Sequence, residues 1–322
     1  MPLDTDSAAL ISKLAELGLP RYETLTPDQA RDAMAAARRA AAIEPPQVGK
    51  VSDLKITSAN GEIPARLYRP LEARGSIPGL VFFHGGGWVL GDLESHDILC
   101  RRLANAGECA VLAVDYRLAP EHKFPAAVED AVTATQWAFA NAQMLEIDPE
   151  RIAVGGDSAG ANLATVVCHM ARDVGKLRIR LQLLIYPVVE LAFTHPSHQL
   201  KEDHLPVLGE TMIWFREHYL SEQKHQQDWR ASPLLAKSFS ALPPAYVLTA
   251  GYDPLSDEGA AYAGRLEQAG VQVTRRHFPG QIHGFLTMGV GFPTTKLAIS
   301  EIGQALKQSL SKMAGYDREG AR

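Results

Sequence analysis

Apolar residues recur at helical spacing in residues 5–17, at Leu10, Ile11, Leu14 and Leu17, until Gly18 and Pro20 close the segment. Thr26-Pro27-Asp28-Gln29 then has the composition of a helix start. Thr26 can cap, Pro27 suits the first turn, and Gln29 can reach back to complete a capping box. The helix is expected to run to about Ala42, where Pro45-Pro46 marks a linker. Beyond it the period changes. Val51–Ser58 and Glu62–Arg69 flank Asn60-Gly61, a hairpin signal. Short apolar runs then alternate with helical stretches. The strands are Leu80–Phe83, Ala110–Val114, Ile152–Gly155 and Leu181–Tyr186, and the helices between them start near Glu94, Ala126 and Ala161. Such alternation predicts a mostly parallel, doubly wound α/β sheet with helices on both faces. Residues 188–232 break the pattern, with helical spacing only around Glu210–Leu220. They predict an inserted segment that packs on residues 1–45 as a helical cap over a single domain. The sheet resumes at Ala245–Thr249 and ends with the strand Val271–Phe278.

One turn organises the rest. Gly156, Ser158 and Gly160 form Gly-x-Ser-x-Gly between a buried strand and a helix, the context of a nucleophile elbow. Glycines two residues to either side keep Cβ atoms out of a crowded turn. The serine then stands above the sheet at the positive end of the following helix. A nucleophilic Ser158 needs a base and an acid to orient it, and on such a scaffold they follow in the order Ser, acid, His. His277 lies inside the last strand pattern. His283 lies just beyond it, in the glycine-flanked loop Pro279–Phe285, and is the expected base. Asp253 follows the strand Ala245–Thr249 on a loop at its carboxyl end, where the sites of open α/β sheets collect, and is the expected acid. Asp257 is explained by the first turn of the next helix. Asp157 adjoins the serine but is expected to point elsewhere. His84-Gly85-Gly86-Gly87 follows the strand Leu80–Phe83, and its consecutive glycines let backbone N–H groups face a substrate as oxyanion donors, with the N–H of Ala159 as a third.

Composition narrows the partners. A net charge of -5 gives no electrostatic case for nucleic acid or an anionic membrane surface. No apolar run reaches the ~20 residues of a membrane span, and the first residues lack a basic-then-apolar leader. The three cysteines, Cys100, Cys109 and Cys168, read as reduced and buried, which predicts a cytoplasmic protein. The histidines at 195, 198 and 204 show no spacing that would hold a metal.

The motifs together resemble the hormone-sensitive-lipase-like esterases, bacterial family IV of the α/β-hydrolases. The resemblance is carried by His84–Asp92, by Asp115-Tyr116-Arg117-Leu118-Ala119-Pro120-Glu121, by Gly156–Gly160, by Asp253–Gly259 and by His283-Gly284-Phe285. It implies an α/β-hydrolase fold, a Ser158–Asp253–His283 triad, an oxyanion hole of Gly85, Gly86 and Ala159, and an acyl-enzyme route for a small ester with no metal or organic cofactor. A serine amidase or peptidase on the same fold and a non-catalytic receptor-like binder are the rival readings. The Asp115–Glu121 block reads as scaffold whose charges pair with one another or with backbone. In the cap, Leu208, Trp214 and Phe215 are candidates to line a pocket of limited depth, which favours short to medium acyl chains. The strand Val271–Phe278 is an expected sheet edge and the candidate seam of a homodimer, unless Arg275 and Arg276 keep it apart.

Overall fold

A computed structural model describes residues 2–18, 20–200 and 204–311. Two helices come first, α1 (Thr5–Glu16) and α2 (Pro27–Ala41), followed by the hairpin β1 (Lys50–Ser58) and β2 (Gly61–Arg69). The alternating core is β3 (Ile77–Phe83), α3 (Asp97–Gly107), β4 (Ala110–Val114), α4 (Ala126–Ala140), β5 (Ile147–Asp157), α5 (Ala159–Val174) and β6 (Ile179–Ile185). After the inserted segment, which holds α6 (Gly209–Tyr219), come β7 (Ala245–Tyr252), α7 (Ser256–Gln268), β8 (Val273–Ile282), the short α8 (Phe285–Met288) and α9 (Pro293–Ser309). The eight strands form one sheet in the order β1-β2-β4-β3-β5-β6-β7-β8. β2 runs antiparallel to both neighbours, and every pair from β4 to β8 is parallel.

The central strands are apolar on both faces because helices cover both. Along β3, Val81 and Phe83 join the core under α4, α5 and α7, while Leu80 and Phe82 join the one under α3 and α9. Three predicted boundaries move. The hairpin turns at Ala59-Asn60, since Ser58 faces Gly61. β5 begins at Ile147, five residues before the predicted start. β8 begins later than Val271 and continues past Phe278, with Ile282 pairing Tyr252 after a register shift. β8 is nevertheless an edge of the sheet.

The two N-terminal helices dock at different places. The capping box at Thr26 and Gln29 forms and starts α2. α2 lies against the loop after β3, with Arg31 bonding Val89 and Arg38 bonding Asp92. α1 is held at the far end of the chain. Asp4 donates its N–H to the Gly280 carbonyl (3.2 Å) and accepts from the Gln281 side chain, and Asp6 accepts the N–H of Thr294 (2.9 Å). The inserted segment meets the N-terminal one directly. Tyr22 packs on Phe215 at 6.2 Å between rings, and the Thr211 hydroxyl donates to Glu23 at 3.0 Å.

Candidate active site

β5 carries Asp157 at its end, and Ser158 makes the turn into α5 with φ 54° and ψ −118°. That is sparsely populated backbone for a residue with a Cβ, held at a cost of about 1–3 kcal/mol by its surroundings. The surroundings are tight. A Cβ at Gly160 would stand 1.9 Å from the Phe83 carbonyl oxygen, and one at Gly156 2.4 Å from the same atom. The N–H of Ser158 is tied to the Ile185 carbonyl at 2.8 Å. Below it Asn162 donates to the carbonyls of Val188 and Ala231 and so joins α5 to the inserted segment.

Three sheet ends converge on the serine. His283, just past β8, sets Nε2 3.0 Å from Ser158 Oγ and Nδ1 2.7 Å from Asp253 Oδ2. Asp253, one residue past β7, is fully buried, and its Oδ1 accepts the N–H of Leu255 at 2.7 Å. With both carboxylate oxygens engaged, Nδ1 is the nitrogen that carries the proton. Nε2 is left as the acceptor for the hydroxyl. Tyr186, left-handed at the end of β6, lays its ring 4.7 Å from the imidazole. His277 faces Thr249 instead, at 2.9 Å.

The other acids nearby have separate duties. Asp257 is at the surface, accepting the N–H of Ser197 at 2.9 Å. Glu258 was not foreseen. It is fully buried and accepts the N–H groups of Val189 (2.6 Å) and Glu190 (3.2 Å) and the ring of His198 (2.6 Å). Burial pushes its carboxyl above the ordinary value against the pull of His198. It moors the inserted segment to the helix that follows Asp253. His195 stands 3.3 Å from Glu190.

The loop after β3 requires a correction at Gly85. Its N–H is not available to a substrate, because it donates to Asp157 Oδ1 at 2.9 Å, with His96 Nε2 3.3 Å away. An oxyanion would have to displace a carboxylate already in place. Asp157 thus points into the loop, 3.1 Å from His96. Burial pushes its carboxyl up, but His96, His84 and the Gly85 amide outweigh that and hold it below the ordinary value. The amides of Gly86, Gly87 and Ala159 meet no protein acceptor among the described residues. His84 turns its Nδ1–H to the Gly85 carbonyl (2.8 Å) and stacks on Tyr116. Burial lowers its pKa to about 4, so it is neutral.

The Asp115–Glu121 block also departs from expectation. Its charges pair outward. Arg117 binds Asp130, Glu121 binds Arg31, and Asp115 lies 3.9 Å from His84. Of the cap residues, Phe215 borders the glycine loop, since a Cβ at Gly87 would stand 2.1 Å from its ring. Leu208 sits in the same apolar cluster as Tyr186, Phe285 and Leu10. Trp214 packs edge-on against Phe215 and lies 4.4 Å from the His218 ring.

A family model for the alpha/beta hydrolase fold matches residues 80–287. The carboxylic ester hydrolase LipN of Mycobacterium tuberculosis is 44% identical over 82% of this chain and 71% of its own. An ethyl acetate hydrolase of Pseudomonas putida is 38% identical over 96% and 100%. Among solved structures, a thermostable esterase from Pseudomonas putida superposes with a TM-score of 0.93 at 34% identity, over 97% of this chain and 99% of that one. An ester hydrolase from the Lake Arreo metagenome gives 0.90 at 40%, over 95% and 98%.

Proposed function

Since this chain belongs to the hormone-sensitive-lipase-like carboxylesterases of the α/β-hydrolase superfamily, and is a carboxylic ester hydrolase, we propose that Ser158 attacks the ester carbonyl and forms an acyl-enzyme. His283 takes the hydroxyl proton on Nε2 and returns it to the departing alcohol. Asp253 holds the imidazole and balances its charge. Water, activated by the same nitrogen, then releases the acid. The oxyanion is received by the amides of Gly86, Gly87 and Ala159, with Gly87 taking the place first expected for Gly85. The observation that carries this reading is the unbroken run from a fully buried carboxylate to Nδ1 (2.7 Å) and from Nε2 to Oγ (3.0 Å).

Residues 1–45 and 188–232 act as one cap, and Phe215, Trp214 and Leu208 line its acyl or alcohol pocket. Phe215 pressed against Gly87 limits the depth there, which favours acyl chains of roughly four to eight carbons. Three buried cysteines with no disulfide among them fit a reducing cytoplasm. No helix among the described residues is long and apolar enough to cross a membrane. A serine-directed phosphonate should label Ser158 in the wild type and fail on Ser158→Ala, which should also lose turnover. kcat/KM across nitrophenyl esters should peak at medium chains. Labelling that survives Ser158→Ala, or rates that rise steadily to sixteen carbons, would refute the respective claim.

A further inference from the structure

One side chain of α2 spans the contact between the appendage and the glycine loop. Arg31 has five N–H donors, and all are used. Nε donates to the Val89 carbonyl (2.9 Å) and Nη2 to the Ala119 carbonyl (2.8 Å). Nη1 and Nη2 fork onto Glu121 (2.7 and 2.8 Å), and Nη1 also reaches Asp28 (3.3 Å). The two carbonyls belong to the oxyanion loop and the segment braced against it. Val89 and Leu90 return their N–H groups to the Gly86 carbonyl (3.1 and 2.8 Å), and Ala119 donates to the Trp88 carbonyl (2.8 Å). The guanidinium therefore grips both sides of the turn that presents Gly86 and Gly87.

Those internal bonds are not all that holds the turn. Gly86, Gly87, Trp88 and Gly91 all have positive φ (115°, 60°, 60° and 92°), and Trp88 carries a large side chain there. Glycine takes such φ freely, but Trp88 persists there only when neighbours over-determine it. Asp157 fixes it at Gly85, and the Trp88 ring is stacked on Tyr219 at 4.2 Å. From α2, Arg31 ties both sides of the turn, and Arg38 ties Asp92 just beyond it.

We propose that Arg31 is a positioning residue for the oxyanion hole, so that the N-terminal appendage contributes to the rate of ester cleavage as well as to the pocket. This rests on the acyl-enzyme reading above. Loss of the grip would let Gly86 and Gly87 drift from where charge develops. The penalty would fall on the transition state, while the bound ester would be little affected.

The test compares Arg31→Ala, Arg31→Lys, Glu121→Gln and Arg38→Ala with wild type. It reads kcat, KM and the affinity for a trifluoromethyl ketone, whose adduct with the serine needs the same amides. Arg31→Ala should lower kcat about tenfold and ketone affinity by the same factor, the size of one or two hydrogen bonds. KM should stay within about twofold. Arg31→Lys should recover only part, because one ammonium cannot serve two carbonyls and a carboxylate at fixed angles. Glu121→Gln loosens the fork without emptying the site and should show a smaller loss of the same kind, which keeps the test valid if Arg31→Ala folds poorly. Arg38→Ala removes the tether to Asp92 and should cost much less. Wild-type kcat and ketone affinity in Arg31→Lys and Glu121→Gln would overturn the inference. So would equal losses in Arg31→Ala and Arg38→Ala, which would assign the effect to docking of α2 as a whole. A wild type that neither cleaves esters nor takes a phosphonate would overturn the acyl-enzyme reading and this inference with it.

Discussion

Replacing Asp253 by Asn tests the triad most sharply, because the structure dictates how the new amide must turn. Asp253 Oδ1 accepts the N–H of Leu255 at 2.7 Å, and Oδ2 faces His283 Nδ1 at 2.7 Å. Asn has one acceptor for two donors. If its oxygen stays on Leu255, its NH2 points at Nδ1, the imidazole proton moves to Nε2, and Ser158 faces an N–H instead of a base. If the amide flips, two donors meet at Leu255, and a buried N–H left unsatisfied costs about 1–3 kcal/mol. In either pose the imidazolium formed during attack loses its counter-charge, worth about 4 kcal/mol at ~4 Å and an effective dielectric near 20. The lost counter-charge alone is about 10³-fold in kcat, and the misplaced proton or the unsatisfied N–H carries the loss to about 10³–10⁴-fold, a scale similar to that of the same substitution in the serine-protease triad. Asp257 is at the surface and among the described residues accepts only from Ser197, so Asp257→Asn should stay within about threefold. The assay is the burst and steady-state hydrolysis of a nitrophenyl ester, with thermal melts to show that each variant is folded. A folded Asp253→Asn that keeps a tenth of wild-type kcat, or equal losses in the two variants, would refute the assignment.

Two glycines should respond in opposite directions to alanine. Gly160→Ala drives a Cβ to 1.9 Å from a backbone oxygen and should destabilise by at least ~3 kcal/mol, whereas Gly264→Ala, in the interior of α7 with only Arg275 at 3.5 Å, should stabilise by about 0.5–1 kcal/mol in urea titrations. Burial holds His84 and His169 near pKa 4, below their unfolded value of about 6.5, so the unfolded chain takes up these protons first and stability should fall as pH drops from about 6.5 toward 4. His169→Phe, which keeps the ring packing against Phe239, should flatten that slope; an unchanged slope would contradict it. The edge strand β8 should pair with a second copy, since Arg275 and Arg276 are neutralised within the chain by Glu267 and Glu301. Light scattering at micromolar concentration should give twice the 35.0 kDa of one chain, and the chain mass alone would reject the dimer.

What could be read from the sequence was whatever depends on neighbours in the chain. The elbow is legible because Gly156 and Gly160 are forced by contacts of the turn itself, and α2 because Thr26 and Gln29 satisfy each other. The Ser158, Asp253 and His283 positions follow from being the loops at three strand ends, and topology brings such loops together. Gly85 shows where this fails. Which amide of a glycine run is free depends on Asp157, 72 residues away, whose carboxylate occupies one of them. Glu258 carries no signal in its own neighbourhood, and only the fold reveals the amides of Val189 and Glu190 that it receives. β8 ran beyond its predicted end because Pro279-Gly280 resembles a turn, whereas the strand resumes its pairing at Ile282.

The docking of α1 sets a timetable for synthesis. Its anchors, Gly280, Gln281 and Thr294, lie 276 or more residues downstream of the residues they bind. At roughly 5–20 residues per second, the ribosome needs about 15–60 s to supply them. Throughout that interval an amphipathic helix emerges with its apolar stripe uncovered, while β3 to β6 can already assemble behind it. The contact that closes over Gly280 and Gln281 is two residues from His283, so a helix translated long before its anchors is among the last to find its place. A nascent chain stalled before residue 280 would hold a formed elbow and no base, and it would offer α1 to whatever chaperone waits at the exit.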